Sequence, residues 1–231
     1  MEVYSISDLH LSINSNKPMD IFGPVWENAF EKISEDWQQK VKTDDVVLLC
    51  GDLSWAMKLE DALQDIKLLN NLNGKKILLK GNHDYWWQGI TQLRESLPEN
   101  FYAIQNDSIK IDNVIICGTR GWVIPEGKQK TEENIKIYNR ELERLKLSLD
   151  NMQKKRNDGD IVICMMHYPP FNANEDDNEF TKMLENFKVD KVVFGHIHGK
   201  NYTYKLKTIK NNIEYFLTSC DQTLNNLIKI K

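Results

Sequence analysis

Val46-Val47-Leu48-Leu49-Cys50-Gly51-Asp52 sets five apolar residues in a row and stops them on a glycine and a carboxylate. The run is too short for a helix, and no polar residue alternates within it. That is the pattern of a strand covered on both faces. The same figure returns elsewhere in the chain. Residues 3–6 run into Asp8-Leu9-His10, 77–79 into Gly81-Asn82-His83-Asp84, 161–166 into His167, and 192–194 into Gly195-His196-Ile197-His198. A further run, 114–117, leads into Gly118-Thr119-Arg120-Gly121-Trp122. Five strand ends thus deliver Asp, Asn or His, and in an α/β sheet the C-terminal edge is where ligands bind.

Amphipathic stretches fill the intervals. Trp26, Phe30, Ile33, Trp37 and Val41 recur at helical spacing, with Pro24 suited to a first turn. Further helices are expected over 59–72, 86–97, 131–156 and 179–187. In the longest, Ile135, Tyr138, Leu142, Leu145, Leu149 and Met152 form a stripe. Such a stripe is either a seam for a homodimer or the face of one helix lying on a sheet, and the latter is the commoner use. Two hairpins are expected. One joins 101–104 to 108–111 and continues into 114–117; the other runs from Tyr202 to Ile209, turns at Asn211-Asn212 and returns over 213–218. The whole reads as one mixed α/β domain over residues 1–231, with parallel units early and antiparallel hairpins late.

Composition narrows the class. The 231 residues are 41% hydrophobic and 28% charged, enough for a full core without disulfide or metal staples. A net charge of -4 gives no global sign of nucleic-acid binding. No apolar run approaches the ~18 residues that span a bilayer. The four cysteines, Cys50, Cys117, Cys164 and Cys220, lie far apart in apolar runs, so buried, reduced thiols and a cytoplasmic setting are expected. With candidate functional residues already at positions 8 and 10, no leader peptide is expected either.

Asp8, His10, Asp52, Asn82, His167, His196 and His198 are oxygen and nitrogen donors with no thiolate among them. Such a set suits divalent Mn first, with Fe, Zn, Co or Ni as alternatives. Seven candidate ligands exceed the needs of one ion, and two ions sharing a carboxylate would use them. Two metals ~3.5–4 Å apart form a clamp for in-line displacement at phosphorus. Each motif alone is a weak signal, since Gly-Asp is commonplace and Gly-Asn-His-Asp also suits a turn before a helix. Their shared strand context is what makes the set specific.

In order, Asp8-Leu9-His10, Gly51-Asp52, Gly81-Asn82-His83-Asp84, His167 and Gly195-His196-Ile197-His198 resemble the D-x-H, GD, GNH[DE], H and GHxH pattern of the calcineurin-like metallophosphoesterases. The resemblance implies a four-layer α/β/β/α sandwich with two metals between its loops. It implies Asp8, His10 and His198 on one metal, Asn82, His167 and His196 on the other, and Asp52 bridging them opposite a hydroxide. His83 would protonate the leaving oxygen or stabilise the transition state. Asp84 would orient a neighbouring imidazole. The implied activity is hydrolysis of a small phosphodiester or monoester. The second motif, Gly51-Asp52-Leu53-Ser54-Trp55, lacks the arginine of the protein serine/threonine phosphatases. His83 stands where the UDP-diacylglucosamine hydrolases carry arginine. The class III cyclic-nucleotide phosphodiesterases share the GNHD and GHxH forms, so a cyclic nucleotide is an alternative substrate. A scaffold that keeps the fold without catalysis is the rival from another class, and no eroded ligand position supports it.

Three residues are expected to contact substrate: Asn82, Arg120 and Tyr168. Arg120 is one of five arginines and sits between Thr119 and Gly121, where it would grip a phosphate oxygen pair. Aromatic residues crowd the motifs at Trp55, Tyr85-Trp86-Trp87, Trp122, Tyr168 and Phe171. They either line a pocket or pack the loops onto the sheet.

Overall fold

A computed structural model of the chain describes residues 1–13, 17–199 and 204–231. The elements follow in the order β1 (Val3–Ile6), α1 (Ala29–Lys40), β2 (Val46–Leu49), α2 (Leu59–Leu68), β3 (Lys75–Leu78), α3 (Ile90–Ser96), β4 (Phe101–Ala103), β5 (Ser108–Ile111) and β6 (Val114–Thr119). Then come α4 (Glu132–Gln153), β7 (Ile161–Met166), α5 (Glu179–Asn186), β8 (Lys191–Phe194), β9 (Lys207–Lys210), β10 (Ile213–Leu217) and β11 (Ile228–Lys229).

The strands form two sheets. One has the order β11-β1-β2-β3-β4, the other β5-β6-β7-β8-β10-β9. Parallel pairing runs through β1-β2-β3-β4 and through β6-β7-β8-β10. Antiparallel strands occur only at edges, as β11, β5 and β9.

The two-residue period of the strands sorts their side chains into layers. Val3, Val46, Leu48 and Ile77 of the first sheet meet Val114, Ile116, Ile163, Met165, Val193 and Phe216 of the second in a shared apolar layer. The alternate residues of the first sheet, Tyr4, Ile6, Val47, Leu49 and Leu78, pack under Ile33 and Trp37 of α1, Ile66 of α2 and Leu93 of α3. Those of the second, Ile115, Cys117, Val162, Cys164, Val192 and Tyr215, pack under α4 and α5. The result is the α/β/β/α sandwich that the family resemblance implies. Both faces of every inner strand are covered, which is why these segments read as unbroken apolar runs.

Four expectations need correction. The segment 101–104 does not form a hairpin with 108–111. β4 lies parallel to β3 in one sheet and β5 antiparallel to β6 in the other. The connection crosses between sheets through Asn106 at φ 62°, with the Asp107 carboxylate accepting from the Gln105 amide at 2.9 Å. The first helix starts at Ala29, because Asn28 adopts φ 49° and Pro24–Trp26 is a separate 3-10 turn. The third helix starts at Ile90, leaving Trp86 and Trp87 in the preceding turn. The late hairpin turns at Asn211 and Asn212 as expected, at φ 49° and 63°. Its first strand is shorter than 202–209, however, and Tyr202 and Thr203 lie outside the described residues.

The α4 stripe lies on the second sheet. Tyr138, Leu145, Leu149 and Met152 are buried there, so the face a coiled-coil partner would need is already used. Thr131 caps the helix by accepting from the Asn134 amide. All four cysteines are free and buried. Among the described residues, no helix is long and apolar enough to cross a membrane. Leu149→Ala should cost ~2–5 kcal/mol of stability by opening a cavity under α4, read as a lower midpoint in urea unfolding.

Candidate metal centre

The strand ends converge where the C-terminal edges of the two sheets meet. Just beyond β1, β2 and β8 the chain turns sharply, and Asp8, His10, Asp52 and His196 all take positive φ, at 62°, 49°, 51° and 70°. The left-handed region costs a residue with a Cβ about 1–3 kcal/mol when the structure enforces it, and such residues gather at functional sites. Two glycines let the turns come together. A Cβ on Gly195 would collide with the Asp8 carboxylate and the Ser7 hydroxyl, and one on Gly81 with Asp52. Space too small for a methyl group is what brings the ligand loops into register.

Asp8, His10 and His198 form one group of potential ligand atoms, and Asp52, His167 and His196 another; within each, the atoms lie inside 4.8 Å of one another. The first group holds the three residues that the family resemblance implies for one metal, and the second holds His167 and His196 of the other set together with Asp52. Asp52 lies between them. Its Oδ2 is 3.9 Å from His10 Nε2 and 3.4 Å from His167 Nε2. Asn82 joins the second group, with Oδ1 2.7 Å from His167 Nε2.

The imidazole geometry tests whether these residues suit a cation. His167 Nδ1 lies 2.9 Å from the Cys50 carbonyl, which makes Nδ1 the donor and turns the Nε2 lone pair towards Asn82 and Asp52. His198 Nδ1 lies 2.9 Å from Asp221, and its Nε2 faces Asp8 Oδ1 at 3.2 Å. In both groups a nitrogen lone pair confronts oxygen lone pairs, and only a proton or a cation between them makes that favourable. Divalent metal ions fit, because every donor is a hard oxygen or an imidazole nitrogen.

Electrostatics say the same. Burial opposes ionisation of Asp8, yet His198, His167 and His10 hold its carboxyl below the ordinary range. Asp52 is likewise held down against burial, chiefly by His167. In return, His167 and His198 rise against the effect of burial to about 9 and about 10, driven mainly by Asp52 and by Asp8 respectively. Burial dominates at His10 and His196, which fall to about 4, and it also lowers His83. The site asks for positive charge, and neither Asp8 nor Asp52 pairs with a lysine or arginine among the described residues.

The sequence profile of calcineurin-like phosphoesterases matches residues 1–200. The chain belongs to that family. The family usually carries a dinuclear metal centre, and the two ligand groups are where this chain would hold one. A search of curated proteins returns no match. Among solved structures, a Thermus thermophilus protein (TT1561) superposes with a TM-score of 0.62 at 13% identity, covering 99% of this chain and 97% of that one. The phosphopantetheinyl hydrolase of Mycobacterium tuberculosis gives 0.57 at 13% identity, covering 99% and 95%. A protein of unknown function from Aquifex aeolicus gives 0.51 at 15%, covering 99% and 95%. These likenesses establish the shared fold.

Several residues stand differently from expectation. Asp84 has no hydrogen bond to an imidazole. It is buried and accepts from the backbone amides of Gly81, Asp52, Leu53 and Ser54 and from the Trp86 indole. Burial, then the charge of Asp52, pushes its carboxyl up to about 6. Asp84 therefore ties the β2 and β3 loops together. Arg120 points its guanidinium at Glu141, 3.5 Å away, and over the Trp122 ring at 4.7 Å. Its carbonyl holds the amides of His167 and Tyr168.

The aromatic residues divide. Trp86 and Trp87 are buried and pack the loops, with Trp87 donating to Gln105. Trp55 lies 4.6 Å from His10 and 4.5 Å from His83 between ring centres, and Tyr168 lies 4.0 Å from His196. Tyr85, beside His83, is exposed.

Three contributors escaped the sequence reading. Trp26 reaches the site from its 3-10 turn, 6.1 Å from His10 and 5.8 Å from His198. Asp221, beyond β10, orients His198, while its neighbour Ser219 donates to Asp8 at 2.9 Å. The signal was one more apolar strand ending in polar residues, Thr218-Ser219-Cys220-Asp221.

Replacing a carboxylate that orients a ligating histidine typically costs about 10–100-fold in metal affinity, and Asp221→Asn should fall in that range by titration calorimetry with Mn²⁺. Asp84→Ala leaves buried amides without an acceptor and should lower the melting temperature as well as metal affinity.

Proposed function

We propose that the protein is a dinuclear metal-dependent phosphoesterase whose first substrate class is a phosphodiester, with monoesters next. The observation that carries the reading is the complete pair of ligand groups with Asp52 between them and His83 unspent beside them. When bound, the metal pair supplies Lewis acidity and a water acidic enough to attack phosphorus at neutral pH. Mn²⁺ heads the candidates for the oxygen- and nitrogen-rich donor set.

The chain's own residues do the rest. Asp8, His10 and His198 form one side of the clamp; Asn82, His167 and His196 form the other, and Asp52 spans them. His83 is held beside this set, not in it. Its backbone amide donates to Asp52 Oδ1 at 2.7 Å, and its ring lies against Trp55. From there the imidazole supplies a proton or a hydrogen bond to the departing ester oxygen. Trp55 lies against His10 and Tyr168 against His196, so each ligand group has an aromatic face beside it, which suits an ester arm carrying a ring or chain. The four free cysteines fit a reducing, cytoplasmic setting. The phosphopantetheinyl hydrolase shares only the fold at 13% identity, so its substrate enters as one member of a test panel.

The test is metal analysis plus a panel of aryl phosphomonoesters and diesters, cyclic nucleotides and a phosphopantetheinyl ester. His83→Ala should keep its metal and lose about 10²–10⁴-fold in kcat on esters with poor leaving groups. Asp52→Ala should lose metal outright. Full activity of His83→Ala on a poor leaving group removes the proton-donor role. A protein that binds no divalent metal and hydrolyses no ester overturns the enzyme reading in favour of a scaffold.

A further inference from the structure

Beside the metal centre lies a cavity of about 300 Å³, lined by none of the seven candidate ligands. That volume is at the small end of ligand pockets, ~300–1,000 Å³. Its lining is strongly cationic, with Lys80, Arg120, Arg140 and Arg144 around a single carboxylate, Glu141. Three of the chain's five arginines meet here.

The structural explanation for such a cluster is that the cations neutralise Glu141, which is fully buried. That accounts for part of it. Glu141 is already satisfied by the Thr119 hydroxyl at 2.8 Å and by Arg144 at 2.7 Å. Arg120 stands off at 3.5 Å and Arg140 at 3.9 Å, and Lys80 forms no ion pair among the described residues. One negative charge faces four positive ones. In addition, the Arg120 Nε–H is buried without an acceptor among the described residues. A buried N–H of a charged group is costly to leave unpaired. Gln105, also in the lining, gives its carbonyl to the Trp87 indole, which leaves its NH₂ as a further donor.

The cavity is coupled to the centre through the backbone. Lys80 precedes Gly81-Asn82, and the Arg120 carbonyl receives the His167 amide at 3.1 Å and the Tyr168 amide at 2.9 Å. The Arg120 guanidinium lies over Trp122, whose ring is 5.0 Å from Tyr168, and Tyr168 in turn lies against His196.

We infer that this cavity is an anion subsite that takes a second phosphoryl group of the substrate, held by Lys80, Arg120, Arg140 and Arg144. The assignment to substrate rests on the phosphoesterase reading above. It narrows the substrate to phosphate esters bearing a further phosphate or pyrophosphate away from the scissile bond. Guanidinium groups suit such a ligand because their paired N–H donors match phosphate oxygens.

The test has two arms on the full-length chain. In the first, pyrophosphate binding is measured by calorimetry on protein kept metal-free with EDTA. Arg140→Gln should weaken it about tenfold and Arg140→Gln/Arg144→Gln further, the scale of losing charge-assisted hydrogen bonds. Arg140 is largely exposed, so the single variant should melt with the wild type, and it carries the test if the double variant misfolds. In the second arm, the Mn²⁺-loaded protein is given bis(p-nitrophenyl) phosphate and a p-nitrophenyl diester whose other arm ends in a phosphate. Arg140→Gln should leave kcat/KM for the first within about twofold and raise KM for the second about tenfold, with kcat unchanged.

Absence of pyrophosphate binding, or binding indifferent to Arg140, overturns the subsite. Pyrophosphate binding with equal KM changes for both esters overturns the substrate assignment and leaves free phosphate as the ligand. If neither ester is hydrolysed by the wild type, the phosphoesterase reading and the substrate assignment fail together, while the calorimetry still decides whether the cavity binds anions.

Discussion

The constraint on which this molecule turns is the burial of two carboxylates, Asp8 and Asp52, at the junction of its sheets. Ionised carboxylates are expensive to remove from water unless something pays the electrostatic cost. Here no lysine or arginine approaches them among the described residues; imidazoles, hydroxyls and backbone amides do. The hydroxyls and amides are neutral and only soften the cost, so the balancing charge falls to protons on His167 and His198 or to a cation held in their place. A positive centre in the midst of Asp8, Asp52 and the imidazoles is therefore built into the stability of the loops as well as into any chemistry they perform.

That demand explains the local backbone. Left-handed turns after β1, β2 and β8 are costly individually, and the sandwich offsets them by burying strands on both faces. Asp84 contributes by gathering amides from two loops onto one carboxylate. Without such a collector, the turn after β2 and the turn after β3 would have buried N–H groups and no common anchor.

Much of this was legible in the sequence, for identifiable reasons. Inner strands declare themselves by unbroken apolar runs, and the ligands follow directly where the runs stop. The folded chain brings Asp8 together with His10 and His198, and Asp52 together with His167 and His196, from positions the strand ends had already marked. What stayed hidden depended on partners distant in the chain. Nothing in residues 101–111 says that the two short strands join different sheets, since each satisfies the same apolar pattern beside any neighbour. The helical spacing from Trp26 to Val41 was genuine, but the left-handed Asn28 interrupts it and sends Trp26 to the site. Asp84 looked like a partner for a histidine because its role is set by five N–H groups that only the folded loops bring together.

Asp221 carries a further consequence. The family profile ends at residue 200, whereas the carboxylate that orients His198 lies at 221. Ser219 and Cys220, on the same loop, touch Asp8 from beyond that boundary too. The ligands and the residues that tension them are thus written in separate stretches of chain. A change confined to residues 219–221 would leave all seven candidate ligands in place and still alter how firmly His198 and Asp8 are held.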